Sequence, residues 1–195
     1  MSTQEELLDA ITWVAAQGWT PATGGNFSAR MPQGYLITAS GRDKTRIQAE
    51  DLLLCDAIGL VLDGAGLPSA ESELHAALYR LDADIGCVLH THSVAATVLS
   101  RRHPEGVRFT GFEMQKALQG NRTHDASILL PVVPNSQDMA DIAAAVKEKW
   151  PMPWGFLVEG HGLYAVGEDV ATCRRHLEGL EFLLACVLEE ERWQR

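Results

Sequence analysis

The chain has 195 residues, with 16 Lys or Arg against 26 Asp or Glu and a formal charge of -10. A field of that sign repels a phosphodiester backbone and no basic stripe opposes it, so nucleic acid is excluded as a partner and an anionic substrate must be held by local devices. Hydrophobic residues at 46% and charged residues at 22% leave room for one real core and argue against disorder or a fibrous repeat.

Leu7, Leu8, Ile11, Val14 and Ala15 recur at helical spacing and predict a first helix over residues 4–17, closed by Gly18. The segment is acidic and amphipathic with no basic leader, and no 18-residue apolar run follows, so a cytoplasmic protein without a membrane span is expected. "NFSARM", "GYLITAS", "LLLCDA" and "GLVLDG" read as a meander of mostly antiparallel strands. "PSAESELHAALYRLD" reads as a helix with Ser69 at its cap and Glu71 in its first turn. "GCVLHTH" predicts a strand, "SVAATVLSRR" a helix, "ASILLPVV" one strand, and "SQDMADIAAAVKEKW" a helix from Ser136. "WGFLVEGHGLYAVG" reads as two strands hinged at Gly160, His161 and Gly162, followed by a long helix from about Glu168. Cys55, Cys87, Cys173 and Cys186 are scattered singly and read as buried thiols. The pattern predicts a single α/β domain over residues 1–195, a mixed sheet covered by helices.

Alternate side chains of a strand share a face, so His90 and His92 project together, whereas Cys87, at an odd offset from His90, falls on the other face and reads as core. A lone strand-end histidine is more often hydrogen-bonded or solvated than metal-bound; a same-face pair shifts the balance toward a metal. His161, flanked by glycines that let the backbone turn, is the third candidate, and three imidazoles with an open position suit a catalytic metal. A metal that polarises a carbonyl still needs a proton carrier. Glu71 is a candidate, or simply a charge complementing its helix dipole; Glu113, between Phe112 and Met114, is a candidate if that apolar setting raises its pKa, or else a solvated helix-start carboxylate. "TPATGGNFS" and "TASGRDK" offer small residues whose amides cradle anions, with Lys44 as a point charge, although such turns are commonly turns alone. His75, His103, His124 and His176 carry no predicted role, and Trp13, Trp19, Phe112 and Met114 serve equally as pocket liners or core.

In that order, "TGGNFS", "ITASGRDK", "PSAESELHAALYR", "LHTHS" and "EGHGLYAVG" resemble the motifs of the class II aldolase/adducin family, from about Ala10 to the last helix. The resemblance implies a three-layer α/β/α fold with a mostly antiparallel central sheet, a homotetramer, and one zinc ion (Zn2+) per subunit on His90, His92 and His161. It further implies a sugar phosphate substrate held by Gly25, Asn26, Ser40, Gly41 and Ser69, with Lys44 beside them. "GFEMQKALQG" is most like a dehydratase branch of the family, in which Glu113 corresponds to the acid/base residue, whereas in its sugar-phosphate aldolases Glu71 does. Both carboxylates are present, and Glu113 ranks first. Aldolases also use a tyrosine from a neighbour's C-terminal tail; no tyrosine follows Tyr164 here, which argues against aldol cleavage. An aldolase or epimerase stays as the second expectation, and a catalytically silent adducin-like binding module as the third.

Overall fold

A computed structural model describes residues 1–193; Gln194 and Arg195 of the "EEERWQR" tail lie outside the described residues. Helix α1 (Thr3–Ala16) begins at a capping box in which Ser2 and Glu5 satisfy one another's backbone amides, and its apolar stripe Leu7, Ile11 and Val14 is buried. The meander follows as β1 (Asn26–Met31), β2 (Gly34–Thr38), β3 (Leu52–Cys55) and β4 (Val61–Asp63). Then come α2 (Ser72–Leu81), β5 (Cys87–Thr91), α3 (Val94–Arg102) and β6 (Val107–Phe109). The chain ends with β7 (Ile128–Leu130), β8 (Val132–Val133), α4 (Met139–Lys149), β9 (Gly155–Val158), β10 (Gly162–Gly167) and α5 (Val170–Trp193).

Eight strands form one sheet in the order β4-β3-β2-β1-β5-β10-β9-β8. Every pairing in it is antiparallel except β8 with β9. Helices α1, α3 and α5 cover one face through a core that includes Leu7, Leu99 and Leu180, and α2 and α4 cover the other through Leu74, Leu78 and Ile142. The expected three-layer arrangement with a mixed, mostly antiparallel sheet is therefore present. Strand β5, at the centre, is buried on both sides: Cys87 and Leu89 belong to the α5-side core and Val88 to the α2-side core. Cys87 thus packs on the face opposite His90, as strand periodicity requires.

Three local expectations change. The α2 helix begins at Ser72, so Glu71 is its N-cap residue and not part of its first turn. "ASILLPVV" is not one strand: Pro131, which has no amide to donate, separates β7 from β8, and β7 pairs instead with β6, a strand the periodicity did not reveal. The α4 helix starts later than Ser136, capped by the Asp138 carboxylate on the Ala140 amide at 2.8 Å.

Candidate metal and substrate site

The central antiparallel pairings set the site. Asn26 on β1 and Tyr164 on β10 are the register partners of His90 on β5, so the three side chains leave the sheet on one face, toward α2. Strand β5 stops at Thr91, and His92 follows it; its amide donates to Trp19 O at 2.9 Å, which fixes the turn. His161 sits between β9 and β10, its carbonyl accepting from Thr97 Oγ1 at 3.0 Å. The flanking Gly162 is obligatory, because a Cβ there would lie 1.9 Å from Thr91 O.

These constraints bring the three Nε2 atoms together. His90 lies 2.8 Å from His92 and 3.3 Å from His161, and His161 lies 3.0 Å from His92. Glu71 closes the group, with one carboxylate oxygen 3.3 Å from His90 Nε2 and the other 3.3 Å from His161 Nε2. The four donor atoms lie within 4.8 Å of one another, a group able to hold a metal ion. His90 Nδ1–H donates to Leu163 O at 3.0 Å, which leaves its Nε2 lone pair facing the group. Burial drives the His90 pKa down to about 3 and that of His92 down as well, so both rings are neutral at physiological pH. Burial alone would raise Glu71, but His90, His161 and the Tyr164 phenol together hold it well below the usual carboxylate range. Neutral imidazole lone pairs converging beside a carboxylate repel one another unless a cation lies among them, so the donor set fits a divalent metal.

Tyr164 was not anticipated. Its phenol donates to Glu71 Oε2, and its ring stacks on His90 with centroids 4.0 Å apart, so it orients both groups. The only sequence signal was its even spacing along β10, which becomes informative once β10 is known to pair with β5. Glu181 is a second such residue. It is buried on α5, accepts from Thr91 Oγ1 at 2.6 Å, and so anchors the residue between the two histidines from the opposite face.

The glycine pair first makes room. A Cβ on Gly24 would lie 2.6 Å from His92 Nδ1, and one on Gly25, whose φ is +77°, would lie 2.6 Å from His90 O. Just before them Ala22 and Thr23 also have positive φ, 52° and 63°, a conformation that costs roughly 1–2 kcal/mol per L-residue. Lys44 holds this turn: it is buried, and its ammonium donates to Thr23 O at 2.6 Å. The other expected anion contacts form a second cluster, where an Ala39–Pro68 bridge and the Ser40 N to Leu67 O bond of 2.9 Å set Ser40 and Gly41 beside the Ser69 turn. Ser40 N is thereby engaged in the backbone.

Glu113 departs from expectation. It begins a 3-10 turn, Glu113–Ala117, with its side chain 73% exposed, and Lys116 Nζ lies 2.6 Å away. That hydrogen bond lowers its pKa, so the predicted upward shift from an apolar setting does not occur. Within one chain it contacts Lys116 and His124 and none of the three histidines. Phe112 and Met114 line a surface groove with it, whereas Trp13 and Trp19 line a cleft of about 680 Å³ that includes His92, Val94 and Phe182.

The profile of the Class II Aldolase and Adducin N-terminal domain matches residues 5–188. The chain belongs to the class II aldolase/adducin family. Among class II aldolase/adducin relatives, the chain is 49% identical over 188 residues to a protein of Serratia proteamaculans (strain 568) named methylthioribulose-1-phosphate dehydratase, covering 94% of this chain and 92% of that one. A protein of the same name from Pseudoalteromonas translucida (strain TAC 125) is 47% identical over 94% of this chain and 89% of its own length. Among solved structures, the L-fuculose-1-phosphate aldolase of Thermus thermophilus superposes with a TM-score of 0.81 at 30% identity, covering 98% of this chain and 95% of that one. The expected family and fold both hold.

Proposed function

We propose that this chain is a metal-dependent hydro-lyase that converts 5-methylthioribulose 1-phosphate to 2,3-diketo-5-methylthiopentyl 1-phosphate in methionine salvage, acting as a cytoplasmic homotetramer of single-domain subunits (residues 1–195), each with one Zn2+. The observation that carries this reading is the near-complete 49% identity to a protein named for that dehydration. The convergent His90, His92, His161 and Glu71 supply the site it needs. Histidine donors favour zinc among common metals without requiring it.

His90, His92 and His161 would hold the metal, which would supply a Lewis acid to polarise the substrate carbonyl and acidify the adjacent C–H. The chain's own residues do the rest. Asn26, the Gly25 and Gly41 amides, and the hydroxyls of Ser40 and Ser69 hold the phosphate, with the Lys44 charge behind the turn. The cleft containing Trp13 and Trp19 gives the thioether end an apolar wall. Glu113, ionised at neutral pH, takes the proton from C3. Glu113 then gives that proton to the departing C4 hydroxyl, which leaves as water, and the resulting enol ketonises to the diketone. In this reading a neighbouring subunit of the homotetramer presents Glu113, whose turn packs on α5 at Gly179, to the metal group. Glu71, held by Tyr164, stays beside the metal as an orienting carboxylate.

Incubation with methylthioribulose 1-phosphate is expected to yield the diketone with no two- or three-carbon fragment, and chelator is expected to abolish the reaction. Release of such a fragment would instead establish an aldolase, and a chain with neither activity nor about one metal per subunit would be the binding module. Glu113→Gln should lose ~10²–10⁴-fold in kcat with metal content intact. Mixing Glu113→Gln with His161→Ala subunits should restore part of the activity, since one kind of site then receives both intact groups. No recovery from well-folded mixed oligomers would place the working Glu113 within its own chain.

A further inference from the structure

His75, expected to have no role, is fully buried at the start of α2, and both ring nitrogens are engaged. Nδ1 lies 2.6 Å from Ser28 Oγ, Nε2 lies 2.5 Å from Asn26 Oδ1, and Ser28 Oγ lies 2.7 Å from Tyr79 Oη. Tyr79, Ser28, His75 and Asn26 therefore form one linear relay from the helix interior to the residue opposite His90.

Hydrogen counting gives the relay a direction. If Tyr79 donates to Ser28 and Ser28 to His75 Nδ1, the ring carries its proton on Nε2 and donates it to Asn26 Oδ1, and every donor in the chain is satisfied. In the reverse order Asn26 donates to Nε2, Nδ1–H to Ser28 and Ser28 to Tyr79, and the phenolic hydrogen is left without an acceptor among the described residues.

We propose that His75 is a positioning residue: by accepting from Ser28 and donating to Asn26 Oδ1, it fixes the Asn26 carboxamide so that its NH2 end faces the substrate as an anion donor. The opposite end would present a carbonyl oxygen to the phosphate. The relay thus makes Asn26 read a phosphate dianion, where an unsupported amide could turn to suit a hydroxyl. The inference rests on the reading of Asn26 as a phosphate contact.

Two substitutions separate the halves of the relay. His75→Gln keeps an amide donor near the place of Nε2, whereas His75→Asn keeps a group near the place of Nδ1 and loses the donor to Asn26. On the metal-loaded enzyme, His75→Asn should weaken inorganic phosphate binding, read by calorimetry, by about 10- to 100-fold, the scale of one charge-assisted hydrogen bond. KM for the sugar phosphate should rise in parallel while kcat changes little, and His75→Gln should rescue both. On an Asn26→Ala background the His75→Asn change should add nothing. Equal phosphate affinities for the Asn and Gln variants, or an undiminished loss on the Asn26→Ala background, overturns the proposal. Inorganic phosphate needs no turnover: a Gln-rescued phosphate defect in a chain that fails to dehydrate methylthioribulose 1-phosphate upholds the role of His75 and refutes only the assigned reaction.

Discussion

Replacing Glu181 with Gln tests how the protein supports its histidine pair from behind. Glu181 is 3% exposed, and burial raises its pKa from the ordinary 4.5 to about 7 against the opposing hydrogen bonds of Ser93 and Thr91. The folded state therefore keeps a proton on this carboxyl between pH 4.5 and about 7 while the unfolded chain has released it. Stability contributed by the neutral form is complete below pH 4.5 and declines as the pH rises through that window. A displacement of that size corresponds to roughly 3 kcal/mol of penalty on the ionised group by about pH 8. Glutamine keeps an oxygen acceptor for Thr91 Oγ1 and cannot ionise. The stability difference, variant minus native, should be larger at about pH 8 than at about pH 4.5 by that amount. Urea unfolding of the metal-free protein at both pH values and one fixed protein concentration measures it, since histidine titrations common to both proteins cancel in the comparison. A difference that is the same at the two pH values would show that Glu181 ionises as freely in the fold as in water, and would refute the reasoning.

His161→Ala should release the metal as fully as His90→Ala, since each removes one of three imidazoles, and metal content after gel filtration checks this. Gly24→Ala tests the close approach of the turn: its Cβ would lie 2.6 Å from His92 Nδ1 and displace the ring, so metal affinity should fall by about 10- to 100-fold although no ligand is removed. Unchanged metal affinity in Gly24→Ala would show that the turn yields without cost.

The convergence of His90 and His92 was legible because strand periodicity is a short-range rule: an even offset paired the two, and an odd one placed Cys87 in the opposite core. The glycines in "TGGNFS" read as an anion turn, and a second reason for them was not legible: their closeness to His92 and His90 depends on the β1–β5 pairing, which no local pattern encodes. Tyr164, Glu181 and His75 were missed for the same reason, since each acts across a pairing or a layer contact from a residue distant in sequence. Position four after Glu71 on an otherwise apolar helix face was the one available hint that His75 is more than surface. The setting of Glu113, not its candidacy, was misread: Phe112 and Met114 suggested an apolar pocket, while the backbone leaves the carboxylate exposed beside Lys116.

The register that sets Asn26 and Tyr164 on either side of His90 also constrains how the protein reaches its working state. The group able to hold a metal ion comes from residues 71, 90, 92 and 161, so two long chain loops must close before three imidazoles converge. Loop closure of that kind is slow relative to helix formation and is rewarded only when the sheet is nearly complete. A metal ion added to the refolding chain would therefore meet the full donor set only at the end. Under the proposed metal binding, the rate of capture would be a clock for the last tertiary step, and the captured ion a latch that opposes unfolding of the central strands.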